Sequence, residues 1–147
     1  MEKYFINEQE LICDSFRLGA QIFESGYRPD FIVGIWRGGS TVGIYVQECL
    51  QYLGVKTDHI SIRTSYRGLP GYQSMIDGEG TIKAHGLRYL LENLNHDDKL
   101  LIVDDVYGSG KSIDAVLTQL SQRAKRNMPV DVKVAVPWFK PAHNQTR

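Results

Sequence analysis

Along this chain the spacing of hydrophobic and polar positions switches repeatedly between two periods, and the switches mark alternating helices and strands. Leu11, Ile12, Phe16, Ala20 and Phe23 recur at helical spacing and predict a helix over roughly 8–24. Asn7-Glu8-Gln9-Glu10 has the form of a capping box at its start, and Ser25-Gly26 and Pro29 end it. Phe31-Ile32-Val33-Gly34-Ile35-Trp36 then reads as a short aliphatic strand. It runs into Arg37-Gly38-Gly39-Ser40 and a second helix with Val42, Val46, Cys49, Leu50 and Leu53 on one face. Gly54 suits the C′ position of that helix. Ile60 and Ile62 alternate with Ser61 and Arg63, which predicts a third strand over about 58–64.

From Thr64 to Gly80 the chain is rich in glycine and polar residues and predicts a long loop. Thr81–His85 is a short strand, and Leu87–Leu94 a short helix. Leu100-Leu101-Ile102-Val103 reads as a strand buried on both faces. Asp104 and Asp105 follow where that strand ends, then the small-residue turn Gly108-Ser109-Gly110-Lys111-Ser112. Ile113, Val116, Leu117 and Leu120 carry a helix on to about Arg126. A last strand spans roughly 131–139, with Val132, Val134, Val136 and Trp138 on one face, and Pro137 marks an edge position or a strand end. Strands alternating with helices predict an α/β fold, an open and mostly parallel twisted sheet with helices on both faces. Its ligand crevice lies at the strand C-termini.

Composition narrows this picture. The 147 residues make a single domain, 1–147, and 42% apolar with 23% charged residues describes a globular protein. Formal net charge is zero, so no global field points to nucleic acid or to a membrane surface. No membrane span or signal-peptide pattern is present, and a cytoplasmic location is expected. Cys13 and Cys49 both fall on apolar sides of predicted helices and read as reduced core residues. The four histidines show no metal-ligand spacing.

The chemistry concentrates in the segment around Asp104-Asp105. A strand, a glycine turn and a helix start gather backbone N–H groups at one point, where the helix dipole favours an anion. Two acids beside that point suit sugar hydroxyls, a hydrated Mg2+, or both. Phosphate, sugar and metal together point to a phosphorylated ribose. A Walker A loop fits poorly, because Asp105 stands where its first glycine belongs. A dinucleotide fingerprint would want a third glycine where Ile113 is found, and an ordinary solvated turn is the third competing reading. Arg37-Gly38-Gly39 forms a second strand–loop–helix unit that can approach phosphate oxygens closely.

The aliphatic run, Asp104-Asp105, two residues and Gly108-Ser109-Gly110-Lys111-Ser112 resemble the 5-phosphoribosyl 1-pyrophosphate (PRPP) signature of type I phosphoribosyltransferases. Gly34-Ile35-Trp36-Arg37-Gly38-Gly39 and Lys140-Pro141-Ala142 are similar to motifs of the 6-oxopurine branch, the bacterial xanthine–guanine form in particular. This resemblance implies that Asp104 and Asp105 orient the ribose and a hydrated Mg2+, mostly indirectly. It places the 5′-phosphate of PRPP on Gly108, Ser109, Gly110, Lys111 and Ser112, and pyrophosphate on Arg37, Gly38 and Gly39. Ser65-Tyr66 stands at the start of a mobile loop, about 64–80, which closes over PRPP, and Lys140 donates to the purine's exocyclic oxygen.

The implied reaction transfers phosphoribosyl to hypoxanthine, guanine or xanthine, in a homodimer or homotetramer. Two departures accompany the resemblance. Gly108 stands where 6-oxopurine enzymes usually carry an aspartate facing N7, and glycine cannot move a proton. Those enzymes also continue past the lysine motif, so an end at Arg147 implies a short or missing C-terminal hood. Both departures keep open a non-catalytic relative that binds PRPP or a nucleotide as a regulator. An enzyme for adenine or a pyrimidine is a third reading, which the donor of Lys140 disfavours.

Overall fold

A computed structural model describes residues 7–36, 38–67, 81–107 and 110–139; for 65–67, 81–85, 106–107 and 138–139 it describes the backbone. The elements follow in the order α1 (Glu8–Glu24), β1 (Phe31–Trp36), α2 (Gly38–Tyr52), β2 (Asp58–Arg67), β3 (Thr81–His85) and α3 (Arg88–Asn93). They continue as β4 (Lys99–Val103), β5 (Val106–Tyr107), α4 (Lys111–Ala124), a 3₁₀ turn (Lys125–Asn127), β6 (Asp131–Ala135) and β7 (Trp138–Phe139).

Five strands make one sheet in the order β3-β2-β1-β4-β6, and β5 and β7 pair separately. β2, β1, β4 and β6 run parallel, with Phe31 opposite both Asp58 and Leu100, and Lys99 opposite Asp131. β3 runs antiparallel to β2 at the edge. The predicted open, mostly parallel sheet is thus the observed one.

Both faces of the sheet are covered. On one, Val33, Ile35, Ile62, Leu100 and Ile102 pack with α3 and α4 through Leu90, Ile113, Val116 and Leu120. On the other, Ile32, Leu101 and Val103 pack with α1 and α2 through Ile22, Val42, Val46 and Leu50. β1 and β4 are buried on both faces, which is why they read as aliphatic runs. Each fully buried Leu or Ile contributes about 1.5–3 kcal/mol. Tyr27 ties β4 to β6 from below: its hydroxyl donates towards the carbonyls of Leu100, at 3.0 Å, and Asp131, at 3.2 Å. Burial, reinforced by Asp131 and Asp30, pushes that phenol well above its ordinary value.

Local rules explain the helix ends. The Asn7 side chain accepts from the Glu10 N–H at 2.8 Å, which caps α1 as expected. Gly54, at φ 91°, closes α2 with the Val55 N–H returning to the Leu50 carbonyl at 2.8 Å. The single last strand expected over about 131–139 is instead two: β6, an edge strand, ends at Ala135, two residues before Pro137, and β7 pairs with β5 in the small second sheet.

Three further expectations need correction. α1 buries Ser15, Gly19 and Ile22, while Phe16 is 39% exposed. α1 is turned so that small residues meet α2; a Cβ on Gly19 would lie 2.8 Å from that of Cys49. Cys13, beyond that contact, is exposed, whereas Cys49 is buried as expected. β2 runs on to Arg67 instead of ending at about 64, because β3 pairs with its last five residues and satisfies their backbone groups.

Candidate active site

The sheet order places the site. From β1 the chain crosses by α2 to β2 on one side; from β4 it crosses by α4 to β6 on the other, over the opposite face. β1 and β4 are therefore neighbours whose outgoing segments part in opposite directions. That is the topological switch point at which open α/β sheets leave a crevice. Trp36, 55% exposed, stands at the end of β1, and Asp104-Asp105 directly follow β4.

Glycine brings these two ends into contact. A Cβ on Gly38 would overlap the Asp105 carboxylate. A Cβ on Gly39 would lie 2.5 Å from the Val103 carbonyl oxygen and 2.9 Å from Asp104 Cα. Since both of those atoms are backbone or its direct attachment, no side-chain rotation could make room. The double glycine was expected to admit a ligand; it also seats the acidic pair against the start of α2.

The paired acids differ in environment. The Asp105 N–H donates to Asp104 Oδ1 at 2.9 Å. Burial, aided by a side-chain hydrogen bond with Asp105, pushes Asp104 up to about 7. A carboxyl held so high without a compensating cation prefers to be protonated, and a cation or a sugar hydroxyl donor would favour its charged form. Among the described residues no group of three or more His, Cys, Asp or Glu could hold a metal ion. Mg2+ commonly binds through one or two carboxylates and completes its shell with water and substrate oxygens, so this pair fits that mode and not an all-protein cage.

The third arm is the start of α4. Gly110 is its N-cap at φ 79°, a left-handed conformation that favours glycine. Lys111 and Ser112 form the first turn. Thr64, towards the end of β2, approaches Ser112, hydroxyl to hydroxyl, at 3.5 Å. This contact was not read from sequence; a polar residue at the close of an alternating strand is the signal that marks it. Ser65 and Tyr66 lie on β2 with backbone partners Lys83 and Ile82, not at the start of a loop. Arg37, Gly108, Ser109 and Lys140 lie outside the described residues, as do 68–80 of the expected mobile loop. The structure thus gathers Gly38, Gly39, Asp104, Asp105, Gly110, Lys111 and Ser112 at one end of the sheet.

A half-buried histidine was also missed. On β2, His59 points at α2, with its Nε2 2.7 Å from where a Cβ on Gly34 would be and 2.6 Å from one on Gly43. That Nε2 is buried without a hydrogen-bond partner. Burial lowers its pKa against the opposing pull of Asp58. Glycines in mid-strand and mid-helix signal such a close approach. The imidazole lies on the α2 side below the acidic pair, opposite Ile32, and so belongs to the packing.

A crevice at such a switch point, flanked by two acids and a glycine-capped helix start, is the arrangement of an open α/β domain with its site at the strand C-termini. Residues 6–146 match the model of the phosphoribosyl transferase domain, and the chain belongs to that family. A search of curated protein sequences returned no match. Among solved structures, the fold is similar to purine phosphoribosyltransferase from Pyrococcus horikoshii Ot3 (TM-score 0.71, 21% identity, covering 100% of this chain and 83% of that one). It is similar also to a hypothetical protein from Neisseria gonorrhoeae with bound ppGpp (0.68, 20%, 92% and 70%). A third is xanthine-guanine-hypoxanthine phosphoribosyltransferase of Helicobacter pylori (0.64, 18%, 96% and 79%).

Proposed function

We propose that this phosphoribosyltransferase moves the 5-phosphoribosyl group of PRPP to a 6-oxopurine, hypoxanthine, guanine or xanthine, giving a nucleoside monophosphate and pyrophosphate. The observation that carries the reading is the meeting of Gly38-Gly39 with Asp104-Asp105 at the switch point, beside the start of α4. In this reading a purine ring nitrogen forms a bond to ribose C1 as the bond from C1 to pyrophosphate oxygen breaks, and the purine's N–H proton leaves to solvent or base. Asp104 and Asp105 accept hydrogen bonds from the ribose hydroxyls. The N-terminal amides of α4, with Ser109 and Ser112, hold the 5′-phosphate. Arg37 and the glycine pair take pyrophosphate, Ser65-Tyr66 close the site from the end of β2, and Lys140 donates to the purine oxygen.

Mg2+ bound beside the two carboxylates would neutralise charge on the departing pyrophosphate. No covalent nucleophile is needed: catalysis is positioning and electrostatic stabilisation. Gly108 leaves the proton of N7 without a carboxylate partner from that position, so water takes it. Assembly as a homo-oligomer in the cytoplasm accompanies this reading.

Absorbance on mixing protein, PRPP and Mg2+ with hypoxanthine, guanine, xanthine, adenine, uracil or orotate tests it. Turnover of the oxopurines alone supports the reading. Binding of PRPP without turnover of any base would refute it and favour a second one, a regulatory nucleotide binder, for which the ppGpp held by the Neisseria gonorrhoeae neighbour speaks. Gly108→Asp should raise the rate if proton transfer limits it.

A further inference from the structure

β6 is an open edge of the main sheet, and the sequence along it is complementary to itself. The Asp104 N–H donates to the Ala135 carbonyl at 3.3 Å, and Val103 is the register partner of Ala135. In a parallel ladder this turns the backbone of Ala135, and by alternation that of Lys133 and Asp131, towards β4. The N–H and C=O groups of Val132 and Val134 therefore face away from the sheet, where no strand among the described residues pairs with them. Val130, just before the strand, is 86% exposed and Val134 41%, so this side is open. Side chains alternate too. Val132 lies against the α4 side of the core and shares its face with Val134, while Asp131 and Lys133 lie on the other face. The Lys133 ammonium stands over the Tyr27 ring at 5.3 Å, and neither it nor Asp131 makes an ion pair among the described residues.

We propose that β6 pairs with β6 of a second copy of this chain, antiparallel about a two-fold axis through Val132, and so joins two five-stranded sheets into one. Register decides the matter. Opposed residues of an antiparallel pair both turn their backbone groups to the partner strand or both turn them away, so a two-fold pairing centres on a residue. Centred on Asp131, it sets that carboxylate against its own copy; centred on Lys133, it sets ammonium against ammonium. Like charges directly opposite are destabilising. Centred on Val132, it sets Asp131 opposite Lys133 of the partner subunit, and Lys133 opposite Asp131 of the partner subunit. Val130 then meets Val134 across the edge, and Val132 exchanges hydrogen bonds with its own copy. An edge lysine ordinarily blocks strand addition. Here Lys133 excludes the displaced registers and admits one. The surface is independent of the proposed reaction, and it gives the homo-oligomer that accompanies that reading a place of assembly.

Sedimentation equilibrium of the full chain between about 5 and 200 µM tests the idea, since a small contact associates weakly. Wild type should dimerise in that range. Lys133→Asp and Asp131→Lys each set like charges opposite one another at both pairs, and each should weaken the dimer at least about tenfold. An equimolar mixture of these two variants sets Asp opposite Lys again, and should associate within about threefold of wild type. The double variant, Asp131→Lys with Lys133→Asp, should do the same. Val132→Pro removes the outward N–H at the two-fold axis and no bond to β4, and should leave a monomer. A wild type that stays monomeric throughout overturns the proposal, as does a dimer that all three single substitutions leave intact. A mixture no tighter than its two components overturns it as well, because the charges then do not meet across the contact. If either charge variant fails to fold by its melting curve, the double variant and Val132→Pro carry the test with the same expectations.

Discussion

Gly39→Ala puts the strongest demand on this account of the site. A methyl there would meet the Val103 carbonyl oxygen at 2.5 Å and Asp104 Cα at 2.9 Å, against ordinary contacts of 3.4–4 Å. Relief requires α2 and the end of β4 to separate by about 1 Å, since neither contact is a rotatable side-chain end. Overpacking of this kind costs about 1–3 kcal/mol, and alanine's better helix propensity offsets at most about 1 kcal/mol of it. A net loss of about 1–2 kcal/mol lowers the melting temperature by roughly 3–6 °C in a chain of this size. Under the proposed function, displacing the acids by about 1 Å from the ribose they would hold should lower kcat/KM for PRPP about 100-fold.

Gly43→Ala is the comparison. Its methyl would meet His59 Nε2 at 2.6 Å, also a clash, but with a side chain on the α2 side of β2. It should lower the melting temperature similarly while kcat/KM stays within about threefold of wild type, and His59→Ala should rescue its stability. Calorimetric melting and initial rates at varied PRPP read both effects. Wild-type melting and kcat/KM in Gly39→Ala would refute the contact between α2 and the acids.

Other outcomes follow from buried polar groups. His59 is neutral when folded, with its pKa below the ordinary 6.5, so the unfolded chain binds the extra proton. Its contribution to stability is complete above about pH 6.5 and is lost as pH falls towards the folded value; His59→Phe should flatten that part of a melting-temperature profile. Asp104 has the opposite sign, raised from 3.8 to about 7, so stability declines as pH rises between those values. In EDTA at pH 8, Asp104→Asn should therefore melt a few degrees above wild type, and with Mg2+ restored it should lose the proposed phosphoribosyl transfer; a lower melting point would contradict the burial assigned to it. Tyr27→Phe removes the hydroxyl between the Leu100 and Asp131 carbonyls and should cost about 1–2 kcal/mol in urea titration.

Much of this architecture was legible because its decisive segments are short and locally determined. Residues 100–103 are aliphatic on both faces because helices cover both, and no other burial pattern produces that run so simply. Asn7 and Gly54 set helix ends through contacts within a few residues, and those ends fall where expected. What failed was set by distant partners. The polar, glycine-rich sequence after Thr64 reads as a loop, yet β3 supplies hydrogen bonds that carry β2 to Arg67. Periodicity fixed the pitch of α1 but not which side would face inward. Ser15 and Gly19 turn inward because close approach to Cys49 outweighed burying Phe16. At the site, residue types marked Asp104, Asp105 and the glycines, while the reciprocal fit between them is a property of two segments about 65 residues apart in sequence that only the sheet order reveals.

The small second sheet has its own consequence. β5 ends one residue before Gly108, β7 ends one residue before Lys140, and the two pair in parallel, Val106 with Trp138 and Tyr107 with Phe139. A pair of rungs thus connects the stretch entering the 5′-phosphate turn with the stretch entering the lysine motif. Under the proposed reading the ladder acts as a gauge. The span between what grips the phosphate and what grips the base is set by strand register, in steps of one residue, about 3.3 Å. Deleting a single residue from either strand would miscalibrate that span by nearly the width of a sugar ring, and the enzyme would then measure a nucleotide that does not exist.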